Sequence, residues 1–196
     1  MRAVAGARLL VPVVAAPPEV DDSGDLLVEK STDMAVVTLT SPDGQRALPV
    51  FSGLAALSAW DVSARPSPVS SSRAAQAAVF ERCDVMVLDL GSSHQRELRP
   101  SMVWALAQQR AWLPAHTDPF VAQALSRATV DEADIIGCVG EEDPAGAGIL
   151  RVVLSVRPGL DPAQVQALAT RVGEQIATDG EARARIDGLA FTIRQA

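Results

Sequence analysis

The chain has 196 residues, of which 48% are apolar and 21% are charged, and its formal net charge is −7. A length and composition of this order predict one ordinary domain or two small modules with enough apolar residues to form a core. They exclude a collagen, a coiled coil and a disordered tail, and the acidic balance argues against a general nucleic-acid-binding protein, which needs a basic surface facing phosphates.

The N-terminal residues and the cysteines point to a cytoplasmic protein. No apolar run approaches the roughly 18–20 residues that span a bilayer. Residues 1–14 resemble a signal peptide only briefly, because Arg8 interrupts the apolar stretch and Pro12 with its neighbouring valines suits a strand. Cys83 and Cys138 stand 55 positions apart with no CxxC pattern, which is typical of two reduced thiols in a cytosolic core.

The first predicted elements are a helical turn ending near Gly6 and a strand over residues 9–14. A helix this short leaves open whether the native chain begins upstream of Met1. Residues 17–29 contain acidic side chains and no basic one, which predicts a solvated loop because unpaired carboxylates stay in water.

A hairpin and a capped helix follow. Residues 34–40 are rich in β-branched and apolar side chains, residues 41–44 (Ser-Pro-Asp-Gly) predict a turn, and residues 47–51 return as the second arm. Ser52 is a candidate N-cap for the next helix. That helix places three large side chains on one predicted face: Leu54, Leu57 and Trp60.

The middle of the chain predicts alternating helices and strands. Residues 65–69 contain two prolines and predict a short edge segment at most. Serines 70–72 offer caps for a helix running to about Arg82, and residues 85–90 form an apolar run typical of a strand buried on both faces. Pro100 predicts the first position of another helix.

Residues 114–118 are the best candidate for a domain boundary. We predict an N-terminal α/β domain over residues 1–115, with a mixed sheet and helices, and a smaller C-terminal part over residues 116–196. The C-terminal part predicts the order helix, strand, strand, helix, strand, which makes the fold class α/β, bordering on α+β. The two parts carry net charges of −2 and −5, so the acidity lies mainly in the second.

Two sequence patterns suggest catalysis, but each lacks the other residues that its chemistry requires. Asp89 ends an apolar strand, as a magnesium-binding Asp does in nucleotide hydrolases, but the chain has a single lysine, Lys30, and no glycine-rich phosphate loop before it. Ser92, Ser93 and His94 lack the G-x-S-x-G pattern of a nucleophile elbow. We therefore interpret Asp89 as a strand end and residues 92–94 as a surface loop, and predict no catalytic residues.

The acidic clusters do not predict a metal site. Asp131, Glu132 and Asp134 precede a predicted strand, and residues 141–143 follow it. Seven extended residues separate Asp134 from Glu141 by about 23 Å, whereas a cation needs its ligand oxygens within about 2.0–2.6 Å. His116 has no partner at metal-ligand spacing. We expect no metal and no cofactor, and we expect the clusters to keep the hairpin ends soluble or to meet a basic partner.

The order of several motifs resembles the SseB-like family, named for enhanced serine sensitivity. The resembling segments are residues 9–14 (LLVPVV), 47–52 (ALPVFS), 57–60 (LSAW), 66–69 (PSPV), 84–89 (DVMVLD) and 104–106 (WAL). Together they span most of residues 8–112, and the high Ala and Arg content resembles an actinobacterial member. The resemblance implies an intracellular α/β protein of undefined function, and it provides no catalytic residues to carry over.

Two functional hypotheses follow. The first is a non-enzymatic protein-interaction or regulatory module that binds another protein or itself, with a binding edge at Phe51, Leu57 and Trp60, because Trp is favoured at binding hot spots. The alternative is a sensor of a small, amino-acid-related metabolite, or an uncharacterised enzyme, with a pocket between the two parts near residues 114–118. Neither hypothesis includes nucleic acid or membrane as a partner.

Overall fold

The computed structural model describes residues 1–15, 34–146 and 148–195. Its helices are α1 (Arg2–Ala5), α2 (Leu54–Trp60), α3 (Ser71–Phe80), α4 (Pro100–Ala107), α5 (Pro119–Thr129), α6 (Pro162–Thr178) and α7 (Gly180–Arg185). Its strands are β1 (Arg8–Ala15), β2 (Met34–Val36), β3 (Leu39–Thr40), β4 (Arg46–Val50), β5 (Arg65–Ser70), β6 (Val85–Leu88), β7 (Arg96–Leu98), β8 (Ile135–Glu142), β9 (Ile149–Val156) and β10 (Gly188–Gln195). The predicted α/β class is confirmed. The acidic loop predicted at residues 17–29 lies outside the described residues.

Contacts divide the chain into two compact units. Unit 1 contains Met1–Leu98 and Leu106–Arg110, and unit 2 contains Arg99–Ala105 and Ala111–Ala196. Residues 99–105, which we assigned to the first part from the sequence, therefore cluster with the second. The division into two independent domains at residue 115 stays a prediction.

Unit 1 contains two sheets, in the orders β2-β1-β5 and β3-β4-β6-β7. The predicted hairpin is confirmed, because β3 pairs antiparallel with β4. The prediction of a single strand over residues 34–40 is wrong, because the structure divides this segment between two sheets. Its first half, β2, pairs with β1, and Val37 continues along β1 by donating its N–H to Pro12, before Leu39 turns to β4.

Helix α3 packs closely against the strands of unit 1 through small side chains. Ser70 caps it, as expected, by accepting a hydrogen bond from the N–H of Arg73. Three alanines on its inner face, Ala74, Ala75 and Ala78, are fully buried. Alanine has no side chain beyond Cβ, so the helix axis can lie near its neighbours while the long side chains of its outer face stay exposed.

Unit 2 is built on the sheet β10-β9-β8. The predicted second hairpin is confirmed by the antiparallel pairing of β8 and β9, and β10 then pairs parallel with β9 after α6 and α7. Asp118 and Asp161 cap α5 and α6, and Asp161 forms a capping box with Gln164. Helix α7 was not among the elements predicted from the sequence.

The core of unit 2 lies between one face of this sheet and helices α5 and α6. Alternate residues of β9 point to that face, and they meet the apolar stripes of the two helices. The buried side chains are Val121, Leu125, Ala128, Leu150, Val152, Leu154, Val156, Leu168, Val172 and Ile176. Within the described part of the chain, no helix is both long enough and apolar enough to cross a bilayer.

Candidate functional site

Burial limits the predicted binding edge to one of its three residues. Phe51 and Leu57 are 0% and 1% exposed, so neither side chain can contact a partner in the folded protein. Phe51 is drawn inward because its backbone exchanges two 2.9 Å hydrogen bonds with Leu10 of β1. Trp60 is partly exposed, and its ring centroid lies 5.2 Å from that of Phe51. Binding through Trp60 stays a prediction.

Ser52 has a different role from the one expected. The N-cap residue of α2 is Gly53, which has no side chain to cap the helix, so the prediction that Ser52 caps it is wrong. Ser52 instead donates its N–H to Asp89 Oδ1 at 2.7 Å and its hydroxyl to Oδ2 at 2.8 Å. Asp89 follows β6 with a φ of 51°, and it is 9% exposed. Its carboxylate therefore ties the end of β6 to the start of α2.

The loop that contains Ser92 and His94 forms a turn that is stabilised by side-chain to backbone hydrogen bonds within the loop. Ser92 Oγ accepts the backbone N–H of His94, and Gln95 Oε1 accepts that of Gly91. Because the carboxylate of Asp89 is bonded to Ser52, the loop does not form the Ser-His-Asp arrangement that nucleophilic catalysis requires.

The acidic residues near β8 meet arginines of the same chain. Arg171 binds Glu132 through two 2.8 Å hydrogen bonds, which hold the pKa of that carboxyl below its ordinary value. Glu141 lies 2.8 Å from Arg151 and 3.6 Å from Arg194. Among the described residues, no group of three His, Cys, Asp or Glu side chains is placed to hold a metal ion.

An open groove of about 470 Å³ lies on unit 1. Its floor is valine from three strands: Val11, Val13, Val36 and Val69. Its wall is one side of α3 with the residue that follows the helix, where the charged side chains of Arg73 and Glu81 and the ring of Phe80 line the space. Phe80 is 84% exposed, an unusual position for a large aromatic side chain. We call this space the α3 groove.

The neighbouring edge of β5 cannot accept an added strand along much of its length. Leu10 pairs with Pro68 of β5, but its N–H and C=O face Phe51 on the other side of β1. Pro68 and Pro66 therefore sit in non-hydrogen-bonded pairs, with their nitrogens at the outer edge of β5. Proline has no N–H, so this edge lacks two of the donors that a partner strand would need.

A small cleft of about 140 Å³ lies within unit 2. Asp187 lies at its centre and accepts three hydrogen bonds, from Arg99 Nε at 2.8 Å, Ser101 N at 2.8 Å and Ser101 Oγ at 2.9 Å. Trp112 donates its indole N–H to the same Ser101 oxygen at 2.9 Å. We call the space bounded by Arg99, Trp112, Arg185 and Asp187 the arginine cleft.

Arg185 is held by two aromatic rings and two carboxylates. Its guanidinium carbon lies 5.0 Å from the centroid of Trp104 and 4.4 Å from that of Phe120. Its Nη1 binds Asp118 at 2.9 Å, and its Nη2 binds Glu181 at 3.1 Å. Such a cation stacked on aromatic rings and paired with carboxylates has very little conformational freedom.

Sequence reasoning missed both the α3 groove and the arginine cleft. The ion pairs that fix its two arginines, Arg99 with Asp187 and Arg185 with Asp118, join residues 88 and 67 positions apart, so no local spacing predicts them. The exposure of Phe80 was equally hidden, because its helix has an ordinary apolar pattern in the sequence. No local feature of the sequence identifies either site.

The N-terminal half of the chain matches a known family model. The model describes the SseB protein N-terminal domain and covers residues 1–105. The chain belongs to the SseB family. The α3 groove lies wholly within the matched residues of this SseB domain, whereas most of the arginine cleft follows them. No curated protein and no solved structure matches the chain.

Proposed function

We propose that this SseB-family protein is a non-enzymatic, cytoplasmic protein-binding module, and that the α3 groove receives an apolar segment of its partner. One observation carries the proposal: Phe80 exposes 84% of its surface beside a groove floored with valine. Burying a Phe side chain is worth roughly 1.5–3 kcal/mol, so a partner that covers it gains a large share of a typical binding energy.

The shape and charge of the groove favour one kind of partner segment. The floor consists mainly of valine, together with Ser67 of β5, so a preference for apolar side chains is expected. Arg73 lies in the first turn of α3 and Glu81 directly follows its last residue, which separates them by about 12 Å along the helix axis. We therefore propose a partner segment with an acidic residue near Arg73, an apolar centre, and a basic residue near Glu81.

The mode of binding is side-chain docking rather than strand addition. Pro66 and Pro68 leave the outer edge of β5 with too few N–H donors for a partner strand. The residues that suggested catalysis support a module without an active site, since Asp89 and Ser92 bind the backbone of their own unit. The two free thiols support a reducing compartment, as in the cytoplasm.

The test is a quantitative pull-down with matched variants. Tagged wild-type protein and the variants Phe80→Ala, Trp60→Ala and Val130→Ala are used as bait in native lysate, and captured proteins are quantified. Val130 is the control because it is a similarly exposed apolar residue, at 75%, that does not line the groove.

We expect Phe80→Ala to lower the capture of a specific partner by about tenfold or more, and Val130→Ala to leave it unchanged. Loss with Trp60→Ala alone would move the site to α2 and contradict the groove. Equal capture by every variant would contradict the proposal. A change in the sedimentation coefficient of the purified protein on Phe80→Ala substitution would identify a second copy of this chain as the partner.

A further inference from the structure

The guanidinium of Arg99 in the arginine cleft uses only part of its hydrogen-bonding capacity. Arg99 is anchored through Nε alone, at 2.8 Å from Asp187. Within residues 1–15, 34–146 and 148–195, its two terminal nitrogens have no hydrogen-bond partner. The side chain lines the cleft and is 26% exposed. An oriented pair of N–H groups on a planar guanidinium matches the two oxygens of a carboxylate.

The orientation of Arg99 is fixed before any ligand arrives. Asp187, with a side chain 7% exposed, is held by both donors of Ser101, and the Trp112 ring lies 5.8 Å from the guanidinium carbon. Gly148 closes the other side. A Cβ there would lie 2.5 Å from Arg99 Nε and 2.6 Å from Asp187 Oδ2, so only glycine leaves room for the pair. Preorganised donors lose little entropy when a ligand binds.

Arg185 adds a second, more deeply placed cation. Its side chain lines the cleft and is 10% exposed, and its Nε is buried without a hydrogen-bond partner in the described part of the chain. An unpaired donor on a buried cation is costly, and nearby negative charge lowers that cost.

The charge of the lining decides between anions. Asp187 pairs with Arg99, Asp118 and Glu181 pair with Arg185, and Glu142 and His116 complete the ionisable groups that line the cleft. A phosphate dianion would place two further negative charges beside these carboxylates, whereas a monocarboxylate adds one. We propose that the arginine cleft binds the carboxylate group of a small organic monocarboxylate, through the terminal nitrogens of Arg99.

The tryptophans provide the test, because the chain contains only three and Trp112 lines the cleft. The full chain is labelled with ¹⁵N at the tryptophan indoles, and sodium acetate is titrated against sodium chloride at constant ionic strength. The Trp112→Phe variant assigns the Trp112 resonance. We expect a saturable shift of that resonance, while the resonance of Trp60 in unit 1 does not move.

Two variants test the role of Arg99. Arg99→Gln is expected to raise the acetate concentration at half-saturation by roughly ten- to hundredfold, the effect of losing charge-assisted hydrogen bonds. Arg157→Gln is the matched control, because Arg157 is exposed and does not line the cleft, and it should leave the midpoint unchanged. If Arg99→Gln does not fold, Arg99→Lys keeps the charge without the planar pair of donors, and it should also weaken binding.

Three results would overturn the inference. They are a Trp112 resonance that does not shift with acetate, an equal midpoint in wild type and the Arg99 variant, and saturation by inorganic phosphate without saturation by acetate.

Discussion

Arg185 Nη1 and Asp118 Oδ2 lie 2.9 Å apart and join side chains that are 10% and 3% exposed. Asp118 also caps α5 by accepting the N–H of Phe120, so one carboxylate orients both the helix and the cation. Without Asp118 the buried Arg185 would keep only Glu181, whose side chain is 52% exposed. Losing one partner of a buried ion pair costs more than the pair itself contributes.

Substitutions of Asp118 should separate these two roles. Asp118→Asn keeps a good N-cap and removes the charge, and we expect it to lower the free energy of unfolding by about 3–5 kcal/mol. Asp118→Ala should cost about 1 kcal/mol more, because the cap is also lost. Urea unfolding measures both. The exposed Asp131→Asn is the control, and an Asp118→Asn effect as small as that of the control would show that the pair is not buried in solution.

Gly148 is expected to be the most restrictive glycine of its loop. Gly146 and Gly148 both have positive φ values, 72° and 78°, but an added Cβ meets nothing within 4 Å at Gly146 and collides with Arg99 and Asp187 at Gly148. Gly146→Ala should therefore cost about 1 kcal/mol for its backbone conformation alone. Gly148→Ala should cost clearly more and should shift the Trp112 indole resonance. Equal melting temperatures for the two variants would contradict the packing described here.

The bond between Ser52 and Asp89 should stabilise unit 1. Asp89→Ala removes the acceptor of two hydrogen bonds and places alanine at a φ of 51°, so we expect a loss of about 2–4 kcal/mol. Asp89→Asn tolerates this φ and keeps one acceptor oxygen, so its effect should be about 1 kcal/mol. Chemical unfolding of the two variants measures the difference, and the reverse order would contradict the assigned hydrogen bonds.

Burial raises the pKa of the Cys138 thiol from 9.0 to about 11. The folded state thus favours the neutral thiol. Its contribution to stability is fully present below about pH 9 and is lost as the pH rises to about 11. The chain has no tyrosine and one lysine, so few other groups titrate in this interval.

The Cys138→Ala variant should lose less stability than wild type between about pH 8 and about pH 10.5, as measured by urea unfolding. Cys83→Ala serves as the comparison, since burial also raises the pKa of that thiol. Identical pH profiles for wild type and Cys138→Ala would show that Cys138 is solvated in the folded protein.

The sequence predicted those elements whose causes are local. Proline and aspartate at the starts of α5 and α6, and the Pro-Asp-Gly turn before β4, act within a few residues, so these boundaries follow from the chain itself. Strand 34–40 was predicted as one element because its division depends on β1, whose paired residues lie 19 to 23 positions earlier.

The candidate sites depend on partners that are far apart in the chain. Ser52 has the residue type and position of an N-cap, and only the presence of Asp89, 37 residues later, explains its different bonding. Phe51 and Leu57 were predicted at a binding edge because a strand leads into a helix there. The pairing with Leu10 instead places Phe51 in the core, and Leu57 is buried as well. Long-range pairing of this kind leaves no spacing rule in the sequence.

Hydrogen exchange of the complex tests the central claim most directly. The captured partner is purified, and the amide exchange of the SseB-family chain is compared with and without it. The account predicts slower exchange in residues 73–81, which include most of α3, and in β2, which contributes Val36 to the floor of the groove. Little change is expected in Phe80→Ala. Protection confined to α2 or to unit 2, with α3 unchanged, would contradict binding at the α3 groove.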